Sequence, residues 1–173
     1  GGYAAELETS DTMECGLVGS LSAMTESSPA SFVLEGVTSV NNGNYMVRFT
    51  RTEGTGVGVY EATLTLPEVA VFTSHSGGES ISKSSDLVFT WTPGTNEYFS
   101  AGILMSDGYS GISVGGTDST GTALMHHESL VYVTEGAAKL FLYRESIGTA
   151  PSGFIGGTVV GRRTALLDVT IVP

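Results

Sequence analysis

Three titratable side chains in a row, His126, His127 and Glu128, form the densest cluster in this 173-residue chain of groups able to hold a metal ion or move a proton. A metal needs imidazoles that converge. Neighbouring residues on a strand point to opposite faces, and on a helix they diverge by about 100°, so His126 and His127 are not expected to face one ion. No HExxH spacing accompanies them, and the third histidine, His75, lies about 50 residues away. The cluster is read as structural or solvent-facing, and no catalytic, metal-binding or cofactor-binding residue is assigned.

The remaining candidates are weaker. Asp107 and Asp118 flank a glycine-rich segment, and acidic loops are what calcium uses in extracellular modules. EF-hand spacing is absent, however, and Asp107-Gly108 is accounted for as a turn. GTGVGV lacks the third glycine of a dinucleotide loop, and IGGTVVGRR does not match a phosphate loop. No GxSxG elbow surrounds Ser110, and nothing marks a carboxylate pair for glycoside cleavage. Arg162-Arg163 is the one basic doublet; on a strand its side chains face opposite ways. Cys15 cannot form an internal disulfide and has no basic neighbour to activate it, so it reads as a small buried thiol.

Composition narrows the class. Charged residues make up 14% of the chain, against roughly 25% in ordinary soluble domains, and 40% is apolar. Net charge is −11, and residues 84–138 contain no Lys or Arg. Nucleic-acid binding demands Lys and Arg for phosphates, so no such partner is expected. No run reaches the roughly 18 apolar residues of a membrane helix. No signal peptide opens the chain, so a secreted protein would be read here in its processed form. Asn41, Asn42, Asn44 and Asn96 make no glycosylation sequon.

The elements that must carry these residues are strands. Gly, Ser, Thr and β-branched residues interrupt every helical pattern, whereas alternation recurs. Tyr45, Val47 and Phe49 share one face of NYMVRFT; Tyr60, Ala62, Leu64 and Leu66 share one face of VYEATLTLP. KLFLYRE and LLDVTIV repeat the pattern. Asn42-Gly43, Asp107-Gly108 and Glu135-Gly136 are each expected to close a hairpin. About ten strands are expected, with a single helical turn within LMHHESL, residues 124–130. Pro67 marks the expected boundary between an N-terminal β-rich region, 1–66, and a β-sandwich, 67–173.

Leu87, Phe89 and Trp91 alternate on one strand, and a Thr-Pro-Gly turn leads to a Tyr-led strand at Tyr98. This stretch, LVFTWTPGTNEYFSAGILM, resembles the second and third strands of fibronectin type III and related immunoglobulin-like domains. The resemblance implies an all-β antiparallel sandwich with Trp91 in its core. TLTLPEVAVFTSHSGGESISKSSDLVFTWTP is also similar to β-sandwich units of secreted proteins and lipoproteins of Gram-negative bacteria, which implies an extracellular or cell-surface location. The cysteine pair of true immunoglobulin domains and the Arg-Gly-Asp tripeptide are absent.

The expectation is a non-catalytic structural or adhesive protein that associates with itself or other surface proteins. Filament-like assembly would use an N-terminal strand in which Tyr3, Ala5 and Leu7 alternate with Ala4, Glu6 and Glu8. The alternative is a carbohydrate-binding module presenting Tyr98, Tyr109 and Tyr132 to glycans.

Overall fold

The computed structural model describes residues 10–28, 31–33, 39–94, 98–108, 110–151 and 158–173. Its strands are β1 Thr12–Leu17, β2 Ser20–Ala23, β3 Thr25–Ser28, β4 Ser31–Val33, β5 Asn44–Arg51, β6 Gly58–Thr65, β7 Ser80–Ser82, β8 Leu87–Thr90, β9 Tyr98–Met105, β10 Gly111–Thr117, β11 Thr122–Met125, β12 Gly136–Thr149 and β13 Thr158–Val172. One helical turn, α1 His127–Leu130, interrupts them. The protein is all-β with several sheets, ordered β2-β1-β5-β6, β10-β9-β12-β13-β7, β11-β8 and β3-β4. The chain divides into two compact units, Gly1–Leu66 with Ser146–Gly161 and Pro67–Glu145 with Arg162–Pro173. The long strands β12 and β13 each have residues in both.

In the first unit, β5 is a central strand with β1 on one edge and β6 on the other, both antiparallel. Its alternation does what the sequence implies: Tyr45 and Phe49 are buried, and Ala62 of β6 is buried beside them. Tyr60 stacks on Phe49 with ring centroids 6.1 Å apart. On the opposite face the register aligns Glu14, Arg48 and Glu61 across three strands, and Arg48 reaches the two carboxylates at 3.4 and 2.7 Å. The Asn42-Gly43 turn forms, with Asn42 at φ 54° and the Gly43 N–H donating to Val40 O at 3.2 Å. It does not close the expected hairpin. Both edges of β5 are taken, by β1 and β6, and residues 34–38 before the turn lie outside the described residues.

In the second unit, inward residues of the β11-β8 pair and of the five-stranded sheet share one core. Leu87, Phe89 and Trp91 enter it from one side, and Phe99, Ala101, Ile103, Leu140 and Leu142 from the other. Burying such side chains is the main drive for the fold, at roughly 1.5–3 kcal/mol each. Asp107-Gly108 closes the β9–β10 hairpin as expected: Gly108 adopts φ 73°, and the Asp107 carboxylate accepts from Ser110 N–H at 2.8 Å. Gly102 on β9 is required for a different reason, since a Cβ there would collide with the carbonyl oxygen of Ile112 on β10.

The residues before Glu135-Gly136 are not a strand, because α1 and the turns after it occupy them and bury Leu130 and Val133; β12 pairs instead with β9 and lies beside β13. The helical turn itself falls within the segment where it is expected. The sheets are also not wholly antiparallel: β7 runs parallel to β13, aligning Ile81 with Ile171 so that both enter the core. With a parallel edge strand and, among the described residues, two strands in the facing sheet, the architecture departs from a plain immunoglobulin sandwich.

Candidate functional site

Alternation along β12 places Arg144 on the same face as Leu140 and Leu142, which is the core face. An unpaired cation there would be prohibitively costly. Asp118, in the turn after β10, answers it: its Oδ2 accepts from Arg144 Nε and, at 3.1 Å, from Gly94 N–H, while its Oδ1 accepts from Trp91 Nε1. Arg144 also donates through Nη2 to Thr92 O and through Nη1 to Glu68 O at 3.5 Å. Asp118 is 0% exposed, Arg144 2% and Trp91 3%. The Trp91 ring lies against Phe99 with centroids 4.6 Å apart. Trp91 is therefore a core residue, as its strand pattern implies. Asp118 is a buried counter-ion whose oxygens accept from protein donors.

The solvent-facing chemistry gathers on Asp86, just before β8. Its Oδ1 accepts from His127 N–H and His127 Nδ1, both at 2.9 Å, and its Oδ2 lies 3.4 Å from His126 Nδ1. The two imidazoles thus share one carboxylate, although strand or helix spacing alone would separate them. The reason is local. His126 is extended at φ −68°, ψ 142°, and His127 is the first residue of α1, so the chain turns between them. Asp86 caps the helical turn from 41 residues away.

The His127 N–H, and then its ring, hold the Asp86 carboxyl down at about 2. In return, hydrogen bonding to Asp86 raises the His127 imidazole above its ordinary value. Among the described residues, no three His, Cys, Asp or Glu side chains are grouped so as to hold a metal ion.

The other sequence candidates lie apart. His75 sits edge-on to Phe72 and Phe89, its Nδ1 against the Glu79 carboxylate and its Nε2 3.0 Å from Val88 O. A carbonyl only accepts, so Nε2 carries hydrogen and the ring staples the preceding loop to β8. Arg162 donates to Glu145 and stacks over Tyr143 at 4.0 Å. Cys15 is half-buried on β1, and burial pushes its thiol up, away from nucleophilic character. Tyr98 and Tyr132 are exposed, the latter 77%. Tyr109 and the N-terminal strand candidate around Tyr3 lie outside the described residues.

The first unit carries an open groove of about 540 Å³ between β6 and the last residues of β12, lined by Thr63, Leu64, Thr65, Ser146, Ile147 and others. None of its lining side chains is an acid or base near neutral pH, so it offers hydrogen bonds and apolar contact rather than proton transfer.

The sequence reading missed both the Asp86 cap and the Asp118–Arg144 pair. For the second a signal existed: in KLFLYRE, Arg144 falls on the face of Leu140 and Leu142, and a core-facing arginine demands an acid. No protein-family model matches the chain, and no curated protein matches it.

Proposed function

We propose that this chain is a non-catalytic, extracellular or cell-surface β module of the fibronectin type III or immunoglobulin-like kind, acting structurally or adhesively through self-association. One observation carries the reading. Val88 and Leu124 are direct cross-strand partners on the outer face of the β11-β8 pair, and remain 47% and 43% exposed. Exposed apolar side chains paired on one face are a contact surface in the making. The buried ionic pair supports the reading as well, since its donors and acceptors are committed to Trp91, Gly94, Thr92 and Glu68. Analytical ultracentrifugation over a wide concentration range tests it. Concentration-dependent assembly is expected, and a monomer at every concentration sinks the reading.

A second reading has its own observation. Tyr132 is 77% exposed directly after α1, which is how a carbohydrate-binding module displays a ring for stacking on a sugar. Polysaccharide pull-down with the intact protein and with Tyr132→Ala decides it. Retention lost in the variant would favour glycan binding.

A further inference from the structure

The five-stranded sheet ends at β10, which has β9 on one side and, among the described residues, no strand on the other. Open edges are hazards that proteins blunt with charge, proline, bulges or shortness. β10 has none of these. It is seven residues long, reads GISVGGT, and keeps an unbroken register with β9 from Gly111↔Leu104 to Thr117↔Tyr98. Its neighbour β9, YFSAGILM, is equally free of charge.

Other edges differ. β6 carries Glu61, β2 has four residues, and β7 has three and is followed at once by Lys83.

The backbone direction along β10 follows from one bond. Met105 N–H donates to Ser110 O at 2.9 Å, so Ser110 faces β9, and antiparallel alternation sends the groups of Ile112, Val114 and Gly116 the same way. The N–H and C=O groups of Gly111, Ser113, Gly115 and Thr117 therefore point off the sheet. Their side chains are small, uncharged and exposed, while Ile112 and Val114 pack against the core.

We propose that β10 is a self-pairing edge, through which two copies of this chain join antiparallel by bonding the outward groups of Gly111, Ser113 and Gly115. This inference rests on the self-association reading above and names its strand and partner. A second copy fits for two reasons. Strand addition must set a core-facing apolar row against another such row, and β10 turned end for end presents Val114 and Ile112 to Ile112 and Val114. Two molecules of net charge −11 also repel, and a strand pair without a carboxylate is where they can meet at least electrostatic cost. Identical antiparallel strands form a two-fold contact that closes as a dimer rather than propagating.

The test combines mass with amide exchange in the full chain. Sedimentation should show a monomer–dimer equilibrium. Amides of Gly111, Ser113 and Gly115 should exchange slowly in the dimer and fast on dilution, whereas those of Ile112, Val114 and Gly116 stay protected throughout. Ser113→Lys, which sets like charges near the two-fold, should raise the dimer Kd at least about tenfold, and Ser113→Thr should leave it intact. A monomer at all concentrations overturns both this inference and the reading beneath it. A dimer whose outward amides exchange fast, or that survives Ser113→Lys unchanged, overturns the inference alone. Protection of the outward amides at every dilution overturns it too, because the edge would then be covered by the molecule's own chain.

Discussion

The Nε–H of Arg144 donates to Oδ2 of Asp118 inside the core of the second unit, with both side chains all but excluded from solvent. Removing one partner strands the other. Asp118→Ala should destabilise the protein by about 3–5 kcal/mol, because it leaves a buried guanidinium uncompensated and the Trp91 N–H unpaired. Replacing both charges by apolar residues, as in Asp118→Leu with Arg144→Met, should cost less than the sum of the single changes. Urea unfolding of the four proteins in a double-mutant cycle measures this, and strict additivity would argue against a coupled pair.

Trp91 reports on the same site. As the chain's single tryptophan and a buried one, it should emit at short wavelength and resist quenching by iodide. Trp91→Ala should cost about 3–5 kcal/mol as a large-to-small core change. A substitution that left stability untouched would remove Trp91 from the core.

The Asp86–His127 contact sets a pH window. Asp86 is held at about 2, below its ordinary 3.8, so its contribution is present above 3.8 and is lost as pH falls through about 2. His127 is raised above its ordinary 6.5, so its contribution is full below 6.5 and is lost as pH rises through the raised value. The contact is strongest between these limits, and both groups are exposed, so its effect on unfolding is small. Titration by NMR should show His127 above 6.5 in the native protein and lower in Asp86→Asn.

Gly102 sets how closely β9 and β10 approach. Gly102→Ala drives a methyl group into the Ile112 carbonyl, and should cost about 1–3 kcal/mol as an overpacking change. Faster exchange at the Ile112 and Val114 amides would locate the damage in this strand pair. Unchanged exchange would show that the strands part without loss.

Much of the fold is legible along the chain because period-two patterning is a local property. Leu87, Phe89 and Trp91 alternate with Asp86, Val88 and Thr90, and the buried set in the structure is the first three. Asp107-Gly108 likewise announces its turn, since the conformation it needs is decided within four residues. Patterning also puts Arg144 on a core face, and so implies a hidden acid without saying which.

Tertiary structure decided the rest. Turn chemistry at Asn42-Gly43 makes the bend but does not choose the strand partner, because pairing depends on which edges are free once β1 and β6 flank β5. His126 and His127 meet on Asp86 only because a distant carboxylate reaches the start of α1, a contact across 41 residues that no spacing rule encodes. Asp118 reads as one more loop acid until folding closes Trp91 and Arg144 around it. The sequence by itself thus determined the alternating strands β5, β6, β8, β9, β12 and β13 and the place of the tryptophan. Strand partners, the parallel β7 and the identity of each buried charge's counter-ion arose in three dimensions, where long-range contacts compete for the same edges and the same core.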